Sequence, residues 1–400
     1  MGLGHALVHW YTQGFFWIVP KIGDEFGLTN VQMGRLHFLR IALGALSNIF
    51  AGAAVDWLGR VRMVLAISIL WSAVIYLLVG LSPTFFILQV TVMGMSLGAT
   101  AWHPAAMVTL SNAFSKRKGF ALSVHEFGAN IGDAAAPIAF GALLAIMNWR
   151  WVLGVNVIPG AILGVALWVF IKQAPQTGSG QMDFKGYLQG LKAMISNNTL
   201  LMLSSISALR TGSQNVLMAF IPIFLLNTMS MTESESGIYG TILYIPSLFS
   251  ALLVGTISDR TGRRPTMIFS LSLCAILLLG MAWFGTSLAR TDLIWPLTGI
   301  GLGFVASLVG LGLFLFSIRP VIFAYALETT KSEVGSSTIA LIFGVNILAA
   351  ALSPWLAGWT ADTYGIISTF YLSAAMMAGA LILTLALPLV SRSRQSNVLG

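Results

Sequence analysis

The chain has 400 residues, of which 57% are hydrophobic and only 8% charged, and its mean hydropathy is +0.86. A soluble globular domain carries about 25% charged residues, so this composition excludes a soluble enzyme or binding module and points to an integral membrane protein. The net charge of +8 reads as Lys and Arg retained in cytoplasmic loops rather than as a nucleic-acid surface, and the single cysteine, Cys274, excludes an internal disulfide or a Cys-based metal cluster.

Apolar runs of about 20 residues, the length that crosses a ~30 Å hydrocarbon core as a helix, recur along the whole chain. Lipid offers no partner to free backbone groups, so these runs must be helical. Twelve are predicted, at 3–20, 31–55, 63–82, 84–111, 119–147, 150–172, 199–228, 235–258, 266–288, 292–327, 334–360 and 365–390. The first begins directly after Met1 with no basic leader or cleavage site, which argues against a cleavable signal and points to a trimmed start. It carries His5, His9 and Gln13 at spacings of four among Trp10, Tyr11, Phe15, Phe16 and Trp17. Two histidines one turn apart can hold a metal, contact substrate or protons, or simply pack. The second span holds Arg40, and the fourth holds His103 before Pro104.

In the fifth span Glu126, Asn130, Asp133 and Pro137 follow steps of four, three and four, which places them on one stripe. Gly128 and Gly132 form a Gly-x-x-x-Gly face at another angle, suited to close helix contact. One side is therefore expected to pack and the other to line a cavity. His125 lies next to Glu126 and within reach of His103, a trio suited to a proton relay. Segment 173–198 is the one long polar stretch and divides the chain into 1–172 and 199–400, with a cytoplasmic loop between them. Arg210 and Gln214 fall in the seventh span, Arg319 and the glycines 299, 301, 303, 310 and 312 in the tenth, and Asn346 in the eleventh. With the N-terminus inside, fourteen basic residues fall in cytoplasmic loops, four outside and three within spans, so both termini are expected to be cytoplasmic.

The halves repeat each other. "GAAVDWLGRVR" (52–62) aligns with "GTISDRTGRRP" (255–265), matching Gly52, Asp56, Gly59 and Arg60 to Gly255, Asp259, Gly262 and Arg263, with Arg264 following. His103-Pro104 aligns with Arg319-Pro320, Asn130 with Asn346, Gln13 with Gln214 and His9 with Arg210. Three matches in one order indicate a tandem duplication of a six-helix unit. At the position of Asp133 the second half has Ala349.

The two G-x-x-x-D-x-x-G-R loops, each between the second and third helix of its half, resemble the signature loop of the major facilitator superfamily. The resemblance implies an all-α membrane protein of twelve helices in two pseudo-symmetric six-helix bundles, working by alternating access. In it the loop residues lock helix ends together and release them on opening. The alternative is that the loop arginines only set topology. Residues 98–145 are similar to the fourth and fifth helices of fosmidomycin-resistance-type drug exporters, and "NWRWVLGVNVIPG" (148–160) is shared with organic-anion facilitators. Ala136 before Pro137, and Asp133 in place of a small residue, depart from the exporter pattern.

A charge at the bilayer centre costs about 2.5–3.5 kcal/mol, so each intramembrane one needs a reason. Asp133 either couples protons, together with Glu126, His103 and His125, or forms a structural ion pair with Arg40. Arg210 and Arg319 have no mid-span acid in their half and present the fork that binds a carboxylate or phosphonate, unless they hold backbone carbonyls or snorkel. Substrate contacts are expected from His9, Gln13, Arg40, Asn130, Arg210, Gln214, Arg319 and Asn346. The expected protein is a monomer in the inner, plasma membrane that moves a small anionic organic solute or drug with the proton gradient, antiport favoured over symport. Two other classes stay open: a divalent-metal transporter using His5, His9, His103 and Asp133, and a non-transporting sensor on the same fold. No nucleotide loop or transferase signature is present, and neither a cofactor nor an enzymatic activity is expected.

Overall fold

The computed structural model describes residues 1–58, 60–114, 116–171, 197–285, 301–329 and 335–388. Side chains of residues 48–58 and 335–341 and of Phe343 are not described. The predicted Gly59 and the central loop therefore lie outside the described residues, as do the side chain of Asp56 and the surroundings of Gly52.

Helices follow one another in the order the apolar runs dictate. They are α1 (Gly2–Phe26), α2 (Asn30–Leu58), α3 (Val61–Gly80), α4 (Phe85–Met93), α5 (Met95–Ala113), α6 (Lys118–Ile146), α7 (Trp149–Val155) and α8 (Val157–Phe170). After the central loop come α9 (Asn198–Ile223), which runs into a π-turn at Phe224–Thr228, then α10 (Glu233–Tyr244), α11 (Ser247–Thr261), α12 (Arg263–Phe284), α13 (Leu302–Phe314), α14 (Ile318–Thr329), α15 (Gly335–Tyr364) and α16 (Ser368–Leu385). Four predicted spans are broken once: α4 from α5 at Gly94, α7 from α8 at Asn156, α10 from α11 at Ile245-Pro246, and α13 from α14 at Leu315–Ser317. Joined across these breaks, the helices form twelve spans.

Among the described residues, nine of those spans are long and apolar enough to cross a membrane by length and composition. The other three, α1, α2 and α15, have 25, 29 and 30 residues, ample at 1.5 Å per residue, but carry more polar side chains. The protein is thus an all-α, multi-pass membrane protein of twelve helices.

The chain clusters into two compact units, Met1–Met182 with Ile221–Thr241, and Asp183–Phe220 with Ile242–Gly400. In the first, α1 lies on α6 at glycine distance. A Cβ added to Gly128 would sit 2.3 Å from the Gly2 carbonyl oxygen, and one on Gly132 would sit 2.1 Å from that of Ala6. The Gly-x-x-x-Gly face thus packs as its sequence predicts, and α1 is its partner. Beneath it Leu65, Ile69, Trp102 and Leu167 from α3, α5 and α8 form a buried core. One end of the unit is tied by Arg150, which donates to Glu25 at 2.6 Å and to the carbonyls of Gly80 (2.7 Å) and Ser82 (2.8 Å). Segment 221–241 belongs to this unit because Gly141 meets Gly237 at backbone contact, Thr241 donates to the Ala134 carbonyl at 2.9 Å, and Lys21 pairs with Glu233.

In the second unit the signature loop is built in full. Gly262 has φ 98°, a backbone region that favours glycine, and turns α11 directly into α12. Arg263 then bridges Asp259 and Glu328, the latter at 2.9 Å, and donates to the Ser258 hydroxyl at 3.0 Å. Arg264 reaches across to the last carbonyls of α16, donating to Thr384 O at 3.1 Å and to Leu385 O, which satisfies acceptors that a helix C-terminus leaves open. Of the two loop arginines, Arg263 thus meets acids and Arg264 a helix end. Arg60 in the first copy is exposed and precedes α3.

Candidate functional site

The first unit places four histidines together. His5 and His9 project one turn apart from α1, His103 from α5 and His125 from α6, and the His5 ring is the hub. Its centroid is 3.9 Å from that of His125 in a stacked arrangement, 4.8 Å from His9 and 5.1 Å from His103, the last two edge-on. The Gly128 and Gly132 contacts are the cause, because only glycine lets α1 approach α6 closely enough for these rings to interleave. His5 is 1% exposed, and its Nδ1 donates to the His125 carbonyl oxygen at 2.9 Å. Sequence reasoning placed His103 and His125 near one another and grouped His5 with His9 and His103 only in the metal alternative, but missed that His5 is the ring that joins all of them.

Asp133 accepts from His9 Nδ1 at 2.8 Å, with the carboxylate side chain 14% and the imidazole 30% exposed. The alternative, an ion pair of Asp133 with Arg40, is not formed. Instead, the Arg40 guanidinium lies over the Phe16 ring at 4.8 Å and the Phe15 ring at 5.8 Å, a face that attracts a cation. The buried His37 ring stacks on Phe16. The reason is geometric: α1 lies directly on α6, so the α1 imidazole reaches the carboxylate first. Along the α6 stripe Glu126 is exposed, Asn130 and Asp133 are half-buried and Pro137 is buried. The stripe is thus accessible at its first three members and closes at Pro137, beside the Gly237 and Gly240 contacts. Gln13 is buried, so it faces the packed side of α1.

The second unit holds the arginines. Arg210 is 2% exposed and donates to the Leu315 carbonyl oxygen through Nε at 3.0 Å and Nη2 at 2.6 Å. Leu315 lies in the break between α13 and α14, where a carbonyl loses its helical donor, so a two-pronged cation replaces the missing bond. Arg210 thus takes the carbonyl-holding role rather than standing open to an anion. Arg319, the first-turn residue of α14, is exposed and within electrostatic range of Arg210. Among the described residues it makes no ion pair. Asn346 is buried, and its Oδ1 has no hydrogen-bond partner among them. Gln214 is half-buried. The duplication has therefore been put to different uses: where the first half has His9 and His103 in one cluster, the second has Arg210 bracing a helix break and Arg319 presenting its charge.

The profile of the Major Facilitator Superfamily matches residues 1–308 and 203–400. The chain is 25% identical over 86% of its length to 82% of the "Probable 4-methylmuconolactone transporter" of Cupriavidus pinatubonensis. It is 24% identical over 86% of its length to 81% of the "Cis,cis-muconate transport protein" of Acinetobacter baylyi. In structure it resembles a crystal structure of the nucleoside transporter NupG, with a TM-score of 0.81, 12% identity and coverage of 96% of this chain and 98% of that one. At that identity the likeness speaks for the fold alone.

Proposed function

Since the chain belongs to the major facilitator superfamily, we propose that it is a secondary transporter that moves a small organic anion by alternating access and couples that movement to protons. The observation that carries this reading is the exposed Arg319 guanidinium beside the buried Arg210. A cation in a spanning helix with no counter-charge among the described residues is costly unless an anion completes it, and the guanidinium fork matches a carboxylate. One relative is named for 4-methylmuconolactone and another for cis,cis-muconate, an organic dicarboxylate, and the latter name supports that class of solute.

Coupling is assigned to Asp133 with His9, and Glu126, His103 and His125 supply the route to it. Histidine, unlike arginine, is a partner that can give up its own charge, so the carboxylate it holds is not fixed beside a permanent cation. Of the two directions, export by antiport is favoured, on the resemblance of the fifth span to that of drug exporters. Sequence halves 1–172 and 199–400 are taken as the moving bodies, and the Asp259–Arg263–Glu328 cluster with Arg264 as a latch that opens with them. In this reading the protein sits as a monomer in the plasma membrane with both termini cytoplasmic. A thermal-shift titration of purified protein with cis,cis-muconate and neutral analogues tests the solute class. Stabilisation by the anion that disappears in Arg319→Gln supports it, and equal shifts with neutral analogues contradict it.

A further inference from the structure

We infer that His5, His9 and His103 form a binding site for a divalent late first-row transition metal, with Zn2+ as the natural occupant, and that Asp133 supports it. One imidazole nitrogen from each of the three histidines lies within 4.8 Å of the other two. The tautomers of His5 and His9 are already set for coordination. A backbone carbonyl can only accept, so the 2.9 Å contact from His125 O requires the proton of His5 to be on Nδ1. That leaves a lone pair on His5 Nε2, a buried atom with no hydrogen-bond partner among the described residues. At His9, Nδ1 donates to the Asp133 carboxylate at 2.8 Å, so in the neutral ring Nε2 carries the lone pair that a metal takes.

A ligating histidine whose other nitrogen is held by a carbonyl or a carboxylate is the usual support around a bound metal, because it fixes ring orientation and raises ligand basicity. Both forms occur here, on adjacent turns of one helix. Zinc–imidazole bonds of about 2.0–2.1 Å put tetrahedral nitrogens roughly 3.3 Å apart, so the rings need to close by about 1.5 Å at most, within reach of side-chain rotation. His103 is exposed, which gives an ion an entry path. Three imidazoles leave a fourth position for water. A neutral, all-nitrogen set favours zinc, cobalt, nickel or copper over calcium or magnesium, which take oxygen ligands. The site does not depend on the identity of the transported solute. It shares His9, His103 and Asp133 with the proposed coupling machinery, so flux measurements on that machinery belong in chelated buffer.

The test uses the full chain purified in detergent with any polyhistidine tag removed. Zn2+ binding is measured by equilibrium dialysis, and coordination by the visible absorption of added Co2+. One ion per chain is expected, with the intense bands of four-coordinate Co2+. His5→Ala and His103→Ala should each weaken Zn2+ binding by more than the ~10–100-fold that loss of a supporting group costs, and Asp133→Asn by about that amount. Glu126→Gln should leave it unchanged, although Glu126 with His5 and His125 makes a second grouping of possible ligands. Weak six-coordinate Co2+ absorption, retention of Zn2+ by His5→Ala, or its loss in Glu126→Gln would each overturn the assignment. If a histidine variant does not fold, the wild-type Co2+ spectrum and Glu126→Gln still decide.

Discussion

Replacing Gly132 with alanine disturbs the proposed coupling pair without touching either member. The new Cβ would lie 2.1 Å from the Ala6 carbonyl oxygen, a backbone atom of α1, where ordinary contact begins near 3.4 Å. No side-chain rotation relieves it, so α1 and α6 must part by about 1 Å, and overpacking of this kind costs about 1–3 kcal/mol. His9 is carried by α1 and Asp133 by α6, one residue from the substitution. Displacing one helix by that amount stretches their 2.8 Å contact to roughly 3.8 Å, beyond hydrogen-bond range. Gly119→Ala is the matched control, on the same helix, where a Cβ has nothing within 4 Å. The assay is solute accumulation by proteoliposomes under an imposed pH gradient, alongside thermal stability. Gly132→Ala should lose most gradient-driven accumulation and melt earlier, and Gly119→Ala should match the wild type. Wild-type accumulation by a folded Gly132→Ala would refute the claim that α1–α6 contact sets the pair.

Arg210→Lys keeps the charge but cannot donate twice to Leu315 O; it should lower thermal stability by about 1–3 kcal/mol, whereas Arg319→Gln should leave stability unchanged and weaken anion binding, as read by melting temperature with and without solute. Arg40→Gln should spare gradient coupling, since Asp133 pairs with His9 and not with Arg40, and loss of coupling in a stably folded Arg40→Gln would count against that assignment. A double-mutant cycle on Arg263→Gln and Glu328→Gln, whose side chains are 17% and 20% exposed, should give a coupling energy on the order of 1 kcal/mol in thermal unfolding; an energy near zero would make the loop arginine a topology signal only.

The spans were legible because the bilayer imposes one length and one backbone conformation, so α3 at Val61–Gly80 and α6 at Lys118–Ile146 fall within two residues of their apolar runs. Gly128 and Gly132 announced a packing face for the same reason. The identity of a polar group's partner was not legible. Asp133 could be read against Arg40 because charge is visible in sequence, but the choice of His9 depends on α1 seating directly on α6. Arg210 looked like an open anion site, because Pro320, which crowds the Phe316 carbonyl and so marks the break at Leu315–Ser317, does not say which cation the freed Leu315 carbonyl takes. His5 was visible as half of an i,i+4 pair and as one member of an alternative metal set, but its role as hub comes from rings on α5 and α6.

Gradient-driven flux of cis,cis-muconate in proteoliposomes, wild type against Asp133→Asn in chelated buffer, tests the central claim most directly. Wild-type protein should concentrate the anion when a pH gradient is imposed, while Asp133→Asn should exchange it across the membrane without concentrating it. Gradient-driven accumulation by Asp133→Asn equal to the wild type, or loss of exchange together with coupling in a stably folded variant, would contradict the account.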